Sequence, residues 1–101
     1  MEVKITDYAP YAYESLTISS TAVGLTASVY GEDVRVMQAF ITLESAQIRF
    51  RIDGNNPTTT EGHLLEAGQN LTLENYNAIK NFRAIRTGSS DGNIRVTYFR
   101  G

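Results

Sequence analysis

The chain has 101 residues, of which 42% are hydrophobic and 20% are charged, and its formal net charge is -2 at pH 7. This length and composition predict one folded domain spanning residues 1–101 rather than a disordered segment. Cysteine does not occur, which excludes disulfides and thiolate metal sites. The slightly acidic balance gives no indication of a general nucleic-acid binder, which usually shows a clustered basic surplus.

The N-terminal residues 1–13, MEVKITDYAPYAY, lack the basic and continuous apolar regions of a signal peptide. No run of about 18 apolar residues suggests a membrane span. We therefore expect a protein made and kept soluble in a cytoplasm. Val3 and Ile5 indicate a short first strand that Pro10 ends, so the segment is expected to form an N-terminal arm or an edge strand.

Three tyrosines crowd this opening segment, and tyrosine offers a large, fairly rigid surface with a polar tip. They predict either packing against the edge of a sheet or a contact surface for another molecule. The three residues are Tyr8, Tyr11 and Tyr13.

Alternation of apolar and polar residues predicts strands over residues 15–19 and 23–30. Residues 34–43 form a fourth run that is apolar at both parities and rich in residues that suit a pleated surface. Val34, Val36 and Phe40 have one parity, and Met37, Ala39, Ile41 and Leu43 have the other. We expect this strand to be covered on both faces, in part by a neighbouring subunit or by the N-terminal segment.

The clearest strand pattern is QIRFRID, residues 47–53, in which every second residue is apolar. The pattern predicts that Ile48, Phe50 and Ile52 lie in the core and that Arg49 and Arg51 face outward. Only three residues separate this strand from the preceding one, so the two are expected to pair as antiparallel neighbours.

The second half of the chain contains four further strand patterns, at residues 63–65, 71–74, 82–87 and 94–99. Residues 75–81 favour a loop or a single helical turn, because asparagine competes with helical hydrogen bonds. A bulge near Arg83 or Ala84 is expected to place Phe82 and Ile85 on one face. The glycine-rich residues 88–92 predict a hairpin loop.

About eight short strands, with turn signals between them and no room for crossover helices, predict an all-β fold. The expected architecture is a single antiparallel β-sandwich or a jelly-roll-like domain. The seven arginines outnumber the two lysines, and several arginines fall on expected outer strand faces. We expect them to pair with carboxylates or to lie at interfaces. The expected carboxylate partners are Glu44, Asp53, Glu61, Glu66 and Glu74.

Candidate chemical groups are sparse. His63 is the single histidine, which excludes multi-histidine metal sites, and no serine lies in a G-x-S-x-G elbow. The Asp53-Gly54 and Asp91-Gly92 corners have residues that calcium accepts, but tight turns require the same residues. We therefore expect no catalytic residue, no cofactor and no metal site. The polar loop at residues 54–62 predicts either a recognition element or a passive connection.

The block from residue 46 to residue 98 resembles small virion structural proteins of tailed bacteriophages. The matching pieces are RFRIDG with a Pro- and Thr-rich loop after it, GHLLEAGQNLTLEN, IKNFRAIRTGS and IRVTYF. The resemblance covers about the C-terminal half, and it carries no catalytic residues. It implies a β domain that assembles with itself or attaches to a capsid in many copies.

The resemblance and the residue patterns together predict a non-enzymatic virion structural protein that acts through oligomeric protein contacts. A capsid decoration, a head–tail joining protein and a tail component all fit this prediction. The expected partners are further copies of the chain and other virion proteins, without direct nucleic-acid or membrane contact. The expected location is the virion, after synthesis in the host cytoplasm. The alternative is a carbohydrate- or receptor-binding β-sandwich module. The candidate interface residues are Tyr8, Tyr11, Tyr13, Arg49, Arg51, Asn55, Asn56, Thr58 and Thr59.

Overall fold

A computed structural model of the chain describes residues 8–31 and 36–100, and within them the backbone forms eight strands and two short helices. In chain order these are β1 Ala9–Ile18, β2 Val23–Gly24, α1 Ala27–Tyr30, β3 Val36–Glu44, β4 Ile48–Arg51, β5 His63–Leu65, β6 Asn70–Leu73, α2 Tyr76–Asn81, β7 Arg83–Arg86 and β8 Gly92–Arg100. The strand expected around Val3 and Ile5, and the expected strand position of Val34, lie outside the described residues.

The described strands form two antiparallel sheets, with the orders β1-β8-β3-β6 and β2-β7-β4-β5. We call them the long sheet and the short sheet, because β1, β3 and β8 have nine or ten residues whereas β2, β4, β5 and β7 have two to four. Apart from the β4–β5 hairpin, every connection crosses from one sheet to the other. This strand order is that of a jelly roll, so the predicted all-β sandwich is confirmed.

The core lies between the inner faces of the two sheets. Alternate residues of β8 point inward, and Ile94, Val96 and Tyr98 are completely buried. Ile41 of β3 lies beside Val96 in the long sheet, and Ile48 of β4 joins the same apolar cluster from the short sheet. Burial of side chains of this kind stabilises a fold by about 1.5–3 kcal/mol each, so the packing between the sheets is what holds the sandwich together.

The predicted pairing of β3 with β4 is wrong, because the two strands belong to different sheets. Ser45 has a positive φ of 85° in the short connection, and Ala46 N donates to Glu44 O at 3.2 Å. This tight turn carries the chain from the long sheet to the short sheet. Strands that face each other across a core have the same alternation as strands that lie side by side, so the pattern alone does not distinguish the two arrangements.

The glycine-rich residues 88–92 also cross between the sheets, so the predicted hairpin is wrong. β7 pairs with β2 and β4, whereas β8 pairs with β1 and β3. Gly92 begins β8 where the sheets come close together. A Cβ atom at Gly92 would lie 2.7 Å from Ile48 Cγ2 and 2.9 Å from Ala46 O, which explains the need for glycine there.

The strand predicted over residues 23–30 is also wrong beyond Gly24, because the chain turns into α1. Thr26 O accepts hydrogen bonds from Val29 N and Tyr30 N. This single turn carries Tyr30 into the core, where its ring lies 5.6 Å from that of Tyr98 and 6.4 Å from that of Tyr76. Tertiary packing of one aromatic residue therefore overrides the strand pattern.

Two local predictions about β1 and β7 are corrected. Pro10 does not end a strand, since it lies in β1 at the edge of the long sheet, where a missing N–H is tolerated. No bulge is present in β7, where Ala84 pairs regularly with Phe50. Phe82 is buried because it has the same inward parity as Ala84, and Ile85 points to the opposite face.

Two core assignments also change. Ile52 is 42% exposed, because β4 ends at Arg51 and its alternation stops there. An irregularity between Val36 and Gln38 brings Val36 to the inner face with Ala39 and leaves Phe40 on the outer face. The parity predicted for Val36 and Phe40 is therefore wrong.

The short helix α2 agrees with the predicted single turn. Its six residues begin after Asn75, whose Oδ1 accepts a hydrogen bond from Ala78 N at 2.8 Å. An asparagine in this position satisfies one of the free N–H groups at the helix start. Ala78 and Ile79 are the buried residues of the helix.

Candidate functional site

The outer face of the long sheet is the larger candidate site, and we call it the aromatic face. It is formed by the residues of β1, β3, β6 and β8 whose side chains alternate with the buried ones. Its members are Tyr13, Ser15, Thr17, Gln38, Phe40, Thr42, Glu44, Asn70, Thr72, Asn93, Arg95, Thr97 and Phe99.

One row of residues across the aromatic face contains its most exposed aromatic side chains. The strand register places Tyr13 beside Thr97, Thr97 beside Phe40, and Phe40 beside Thr72. Tyr13 is 60% exposed and Phe40 is 40% exposed. The two rings flank the smaller Thr97 on strands about 10 Å apart. Of the two, sequence reasoning named Tyr13 but missed Phe40, whose neighbours in the strand are buried.

The next row of the aromatic face is polar. Arg95 Nη2 lies 3.3 Å from Glu44 Oε1, and Arg95 Nη1 donates to Ser15 Oγ at 2.8 Å. The pairing of an arginine with Glu44 is therefore confirmed. Both charged side chains are exposed, so this ion pair adds little to the stability of the isolated chain.

The three tyrosines of the N-terminal segment do not form one surface. Tyr11 lies at the irregular step of β1, and the guanidinium carbon of Arg100 is 4.9 Å from its ring centroid. A Cβ atom at Gly31 would meet the Tyr11 hydroxyl at 3.0 Å, so this ring lies close to the end of α1. Tyr8 precedes β1 and is half-buried. Tyr13 is the tyrosine of this segment that belongs to the aromatic face.

The polar loop at residues 54–62 is the second candidate site, and it is organised by its own hydrogen bonds. Thr58 Oγ1 accepts from Glu61 N at 3.0 Å and from Thr60 N at 3.3 Å. Pro57 is buried and touches the position that a Cβ atom of Gly62 would occupy. The loop therefore packs on the short sheet through its proline.

Arg49 fastens this loop to the short sheet. Its Nε donates to Thr59 O at 3.1 Å, and its Nη1 donates to Gly62 O at 2.7 Å. The side chain points outward as predicted, but its donors are used within the chain. Hydrogen bonds from a charged donor are stronger than those between neutral groups, so these two bonds hold the loop over the sheet.

Arg51 and Asp53 form an ion pair beside the loop. Arg51 Nε donates to Asp53 Oδ1 at 3.1 Å, and Asp53 Oδ1 also accepts from Asn55 N at 3.2 Å. The hydrogen bond from Arg51, followed by that from Asn55 N, lowers the pKa of Asp53 from 3.8 to about 2. The predicted pairing of an arginine with Asp53 is confirmed.

An open depression with a volume of about 370 Å³ lies next to this ion pair. It is lined by Arg51, Ile52, Asp53, Glu61, Gly62 and His63. The ring of His63 lies 5.4 Å from that of Phe50. The guanidinium group of Arg51 and the carboxylates of Asp53 and Glu61 suit a polar ligand. Because the depression is open to solvent, it would hold such a ligand loosely.

Six predicted interface residues of the second half thus lie on or beside one loop. Arg49, Arg51, Asn55 and Thr58 make contacts within the chain, as described above. Asn56 and Thr59 have exposed side chains. A role for these residues in contacts with another molecule stays a prediction.

An inward-pointing carboxylate in β1 was missed by sequence reasoning. Glu14 Oε2 accepts hydrogen bonds from the Tyr98 hydroxyl and, at 3.1 Å, from Thr26 N. Burial, and then the hydrogen bond to Glu14, raise the pKa of the Tyr98 hydroxyl above its ordinary value. The group ties β1 to β8 and to the start of α1. The available signal was parity, because Glu14 alternates with Leu16 and Ile18.

In the described segments, no group of three or more His, Asp or Glu side chains is arranged to hold a metal ion. No helix within residues 8–31 or 36–100 is long and apolar enough to cross a membrane. Comparison of the sequence with protein-family models and with curated proteins finds no match.

Proposed function

We propose that this chain is a non-enzymatic structural subunit of a tailed-bacteriophage virion that acts through protein–protein contacts. It serves as a head decoration, a head–tail joining protein or a tail component, and it joins the particle after synthesis in the host cytoplasm. Its partners are further copies of itself and other virion proteins, rather than nucleic acid, a membrane or a cofactor. The resemblance of residues 46–98 to such proteins supports the virion assignment.

The aromatic face is the observation that carries the contact role. Exposed apolar side chains that occur singly are normal, but Tyr13 and Phe40 lie in one row, with the half-buried Phe99 nearby. Aromatic residues near the middle of a patch, with polar residues around them, are typical of protein interfaces. A jelly roll hosts many unrelated functions, so the fold by itself adds no support.

The test uses virions of the phage that encodes the chain, purified by density gradient and analysed by quantitative mass spectrometry. We expect the chain at a fixed, multiple copy number relative to the major capsid protein. A complementation assay then compares Phe40→Glu with Leu64→Glu, which changes a similarly exposed side chain on the short sheet. Incorporation should fall with the first change and persist with the second. A chain that is expressed during infection but missing from particles would contradict the proposal.

A second candidate function is a carbohydrate- or receptor-binding module. It is favoured by the depression beside the Arg51–Asp53 ion pair, because a concave site with a few convergent polar groups is typical of small-molecule sites. A glycan array tests it with the wild-type chain, Arg51→Ala and Tyr13→Ala. Binding lost in Arg51→Ala and retained in Tyr13→Ala would place a glycan in the depression. Loss in Tyr13→Ala alone would place it on the aromatic face.

A further inference from the structure

We propose that the aromatic face packs against the same face of a second copy of this chain, about a two-fold axis that runs parallel to the strands. The inference rests on the proposed function in taking this face as a contact surface, and it goes further by naming the occupant. The dimer is a face-to-face packing of two long sheets, in which strands align to within about 30°.

The position of the two-fold axis follows from the strand order of the long sheet. β8 and β3 are the two middle strands, so an axis between them places β8 of one copy over β3 of the other. β1 then lies over β6 of the second copy. In this arrangement Phe40 packs onto Thr97 of the second copy, and Tyr13 packs onto Thr72 of the second copy. Large rings therefore meet small side chains, which is the alternation that well-packed interfaces use.

The charges of the face are self-complementary. Among the described residues that form it, Arg95 is the one cation and Glu44 the one anion, and they lie on the two middle strands. The axis places Arg95 above Thr42 of the second copy, one row from Glu44 of that copy. The long arginine side chain can reach that carboxylate. In the monomer, Arg95 pairs with Glu44 of its own chain. In the dimer, the two-fold axis creates two further opportunities for this pairing, each between Arg95 of one copy and Glu44 of the other.

The area agrees with a weak dimer. With strands about 4.8 Å apart and rows about 6.8 Å apart, the thirteen positions of the aromatic face cover about 420 Å² on each copy. The two copies together would bury about 850 Å², which is below the size of stable interfaces and within the range of weak, transient ones. The long sheet offers this area because no described segment of the chain lies across its exposed Tyr13–Phe40 row, whereas the short sheet carries the loop fastened by Arg49.

Analytical ultracentrifugation from micromolar to millimolar concentrations tests the dimer with the full chain. The wild-type chain should show a reversible monomer–dimer equilibrium, and Phe40→Glu should weaken it by about a hundredfold or more, because a charge would be buried at the centre. Leu64→Glu is the matched control on the short sheet, and its equilibrium should equal that of the wild type. Circular dichroism confirms that each variant is folded.

A charge-reversal mixture tests whether the two aromatic faces oppose each other. Arg95→Glu and Glu44→Arg alone should each weaken the dimer by about tenfold, since each puts like charges opposite each other. Mixing the two variants should recover the dimer as a heterodimer, because the two carboxylates on the face of the first variant would oppose the two guanidinium groups on the face of the second. Pairs within each chain stay repulsive in the mixture, so an ion pair confined to the monomer would give no recovery.

Three results would overturn the inference: a monomer at every concentration, equal weakening by Phe40→Glu and Leu64→Glu, or a mixture no more dimeric than either variant alone. These outcomes separate it from the proposed function. A monomer that is nevertheless recovered in virions removes only the dimer. A dimer that is missing from virions removes the virion assignment and leaves the face-to-face contact in place.

Discussion

The outer faces of the two sheets differ in what covers them. On the short sheet, Arg49 holds the loop of residues 54–62 over the strands, and Arg51 is engaged by Asp53. On the long sheet, the outer side chains extend from regular strands, and the Tyr13–Phe40 row is exposed. The chain therefore supplies a partial cover for the short sheet, which still leaves Leu64 exposed, and leaves aromatic residues exposed on the long sheet.

This difference has a physical origin in strand length. β4 and β5 are joined by a connection of eleven residues, which is long enough to fold back on strands of three or four residues. The long strands β1, β3 and β8 stabilise each other by continuous pairing, so their sheet needs no cover to stay intact. The exposed face is therefore available for contacts without a loss of fold stability.

The largest expected effect is a difference in stability between mutations at two neighbouring residues of β3, which lie on opposite faces of the long sheet. Ile41 is completely buried, whereas Phe40 is 40% exposed on the aromatic face. Ile41→Ala should lower the free energy of unfolding by about 2–5 kcal/mol because it leaves a cavity in the core. Phe40→Ala should lower it by about 1 kcal/mol or less. Urea denaturation followed by circular dichroism measures both, and equal losses would contradict the assignment of the two faces.

The next effect concerns the place where the two sheets come closest. Gly92→Ala should lower the free energy of unfolding by about 1–3 kcal/mol, because the new Cβ atom would overlap Ile48 and the backbone oxygen of Ala46. Gly88→Ala is the matched control, since nothing lies within 4 Å of its Cβ position, and its effect should stay within about 0.5 kcal/mol. If Gly92→Ala left the free energy of unfolding unchanged, the segment between β7 and β8 would be able to move enough to admit the new Cβ atom.

Sequence reasoning reached the fold class and the buried positions Ile48 and Phe50 of β4, because those depend on alternation alone. The strand predicted over residues 94–99 falls within β8, in which Ile94, Val96 and Tyr98 are buried. Alternation carries no information on which sheet a strand joins, so β3 and β4 were paired wrongly. The irregular step after Val36 also shifted the parity that placed Phe40, and no turn residue in the sequence marks that step.

Only the parts of the candidate site with an unusual local amino-acid composition were predictable from the sequence. Tyr13 stood out because it lies among tyrosines, and the loop stood out because it is polar. The role of Arg49 depends on the carbonyl groups of Thr59 and Gly62, and backbone atoms leave no pattern in a sequence. Glu14 is a polar residue at an inward position, a signal that was present but becomes meaningful only with its partner Tyr98 in place.

A smaller effect tests the cover of the short sheet. Arg49→Met keeps the apolar stem but removes the donors to Thr59 O and Gly62 O. The free energy of unfolding should fall by about 1–2 kcal/mol, and amide exchange should accelerate in residues 58–62. Arg95→Met on the aromatic face is the control, with an expected change of about 0–1 kcal/mol. Unchanged exchange in the loop of Arg49→Met would show that Pro57 alone holds it.

The smallest expected effect is the acid response of the same region. The pKa of Asp53 is lowered from 3.8 to about 2 by Arg51 and Asn55, so folding favours its ionised form. The stabilisation from this carboxylate is therefore complete above about pH 4 and is lost as the pH falls from there through 2. An NMR titration should show the Asp53 inflection near pH 2, with the amide of Asn55 following it. In Arg51→Met the inflection should move back toward 3.8, whereas Arg95→Met should leave it unchanged. An inflection near 3.8 in the wild-type chain would mean that the ion pair beside the depression does not form in solution, and the short sheet would then keep its cover through Arg49 and Pro57 alone.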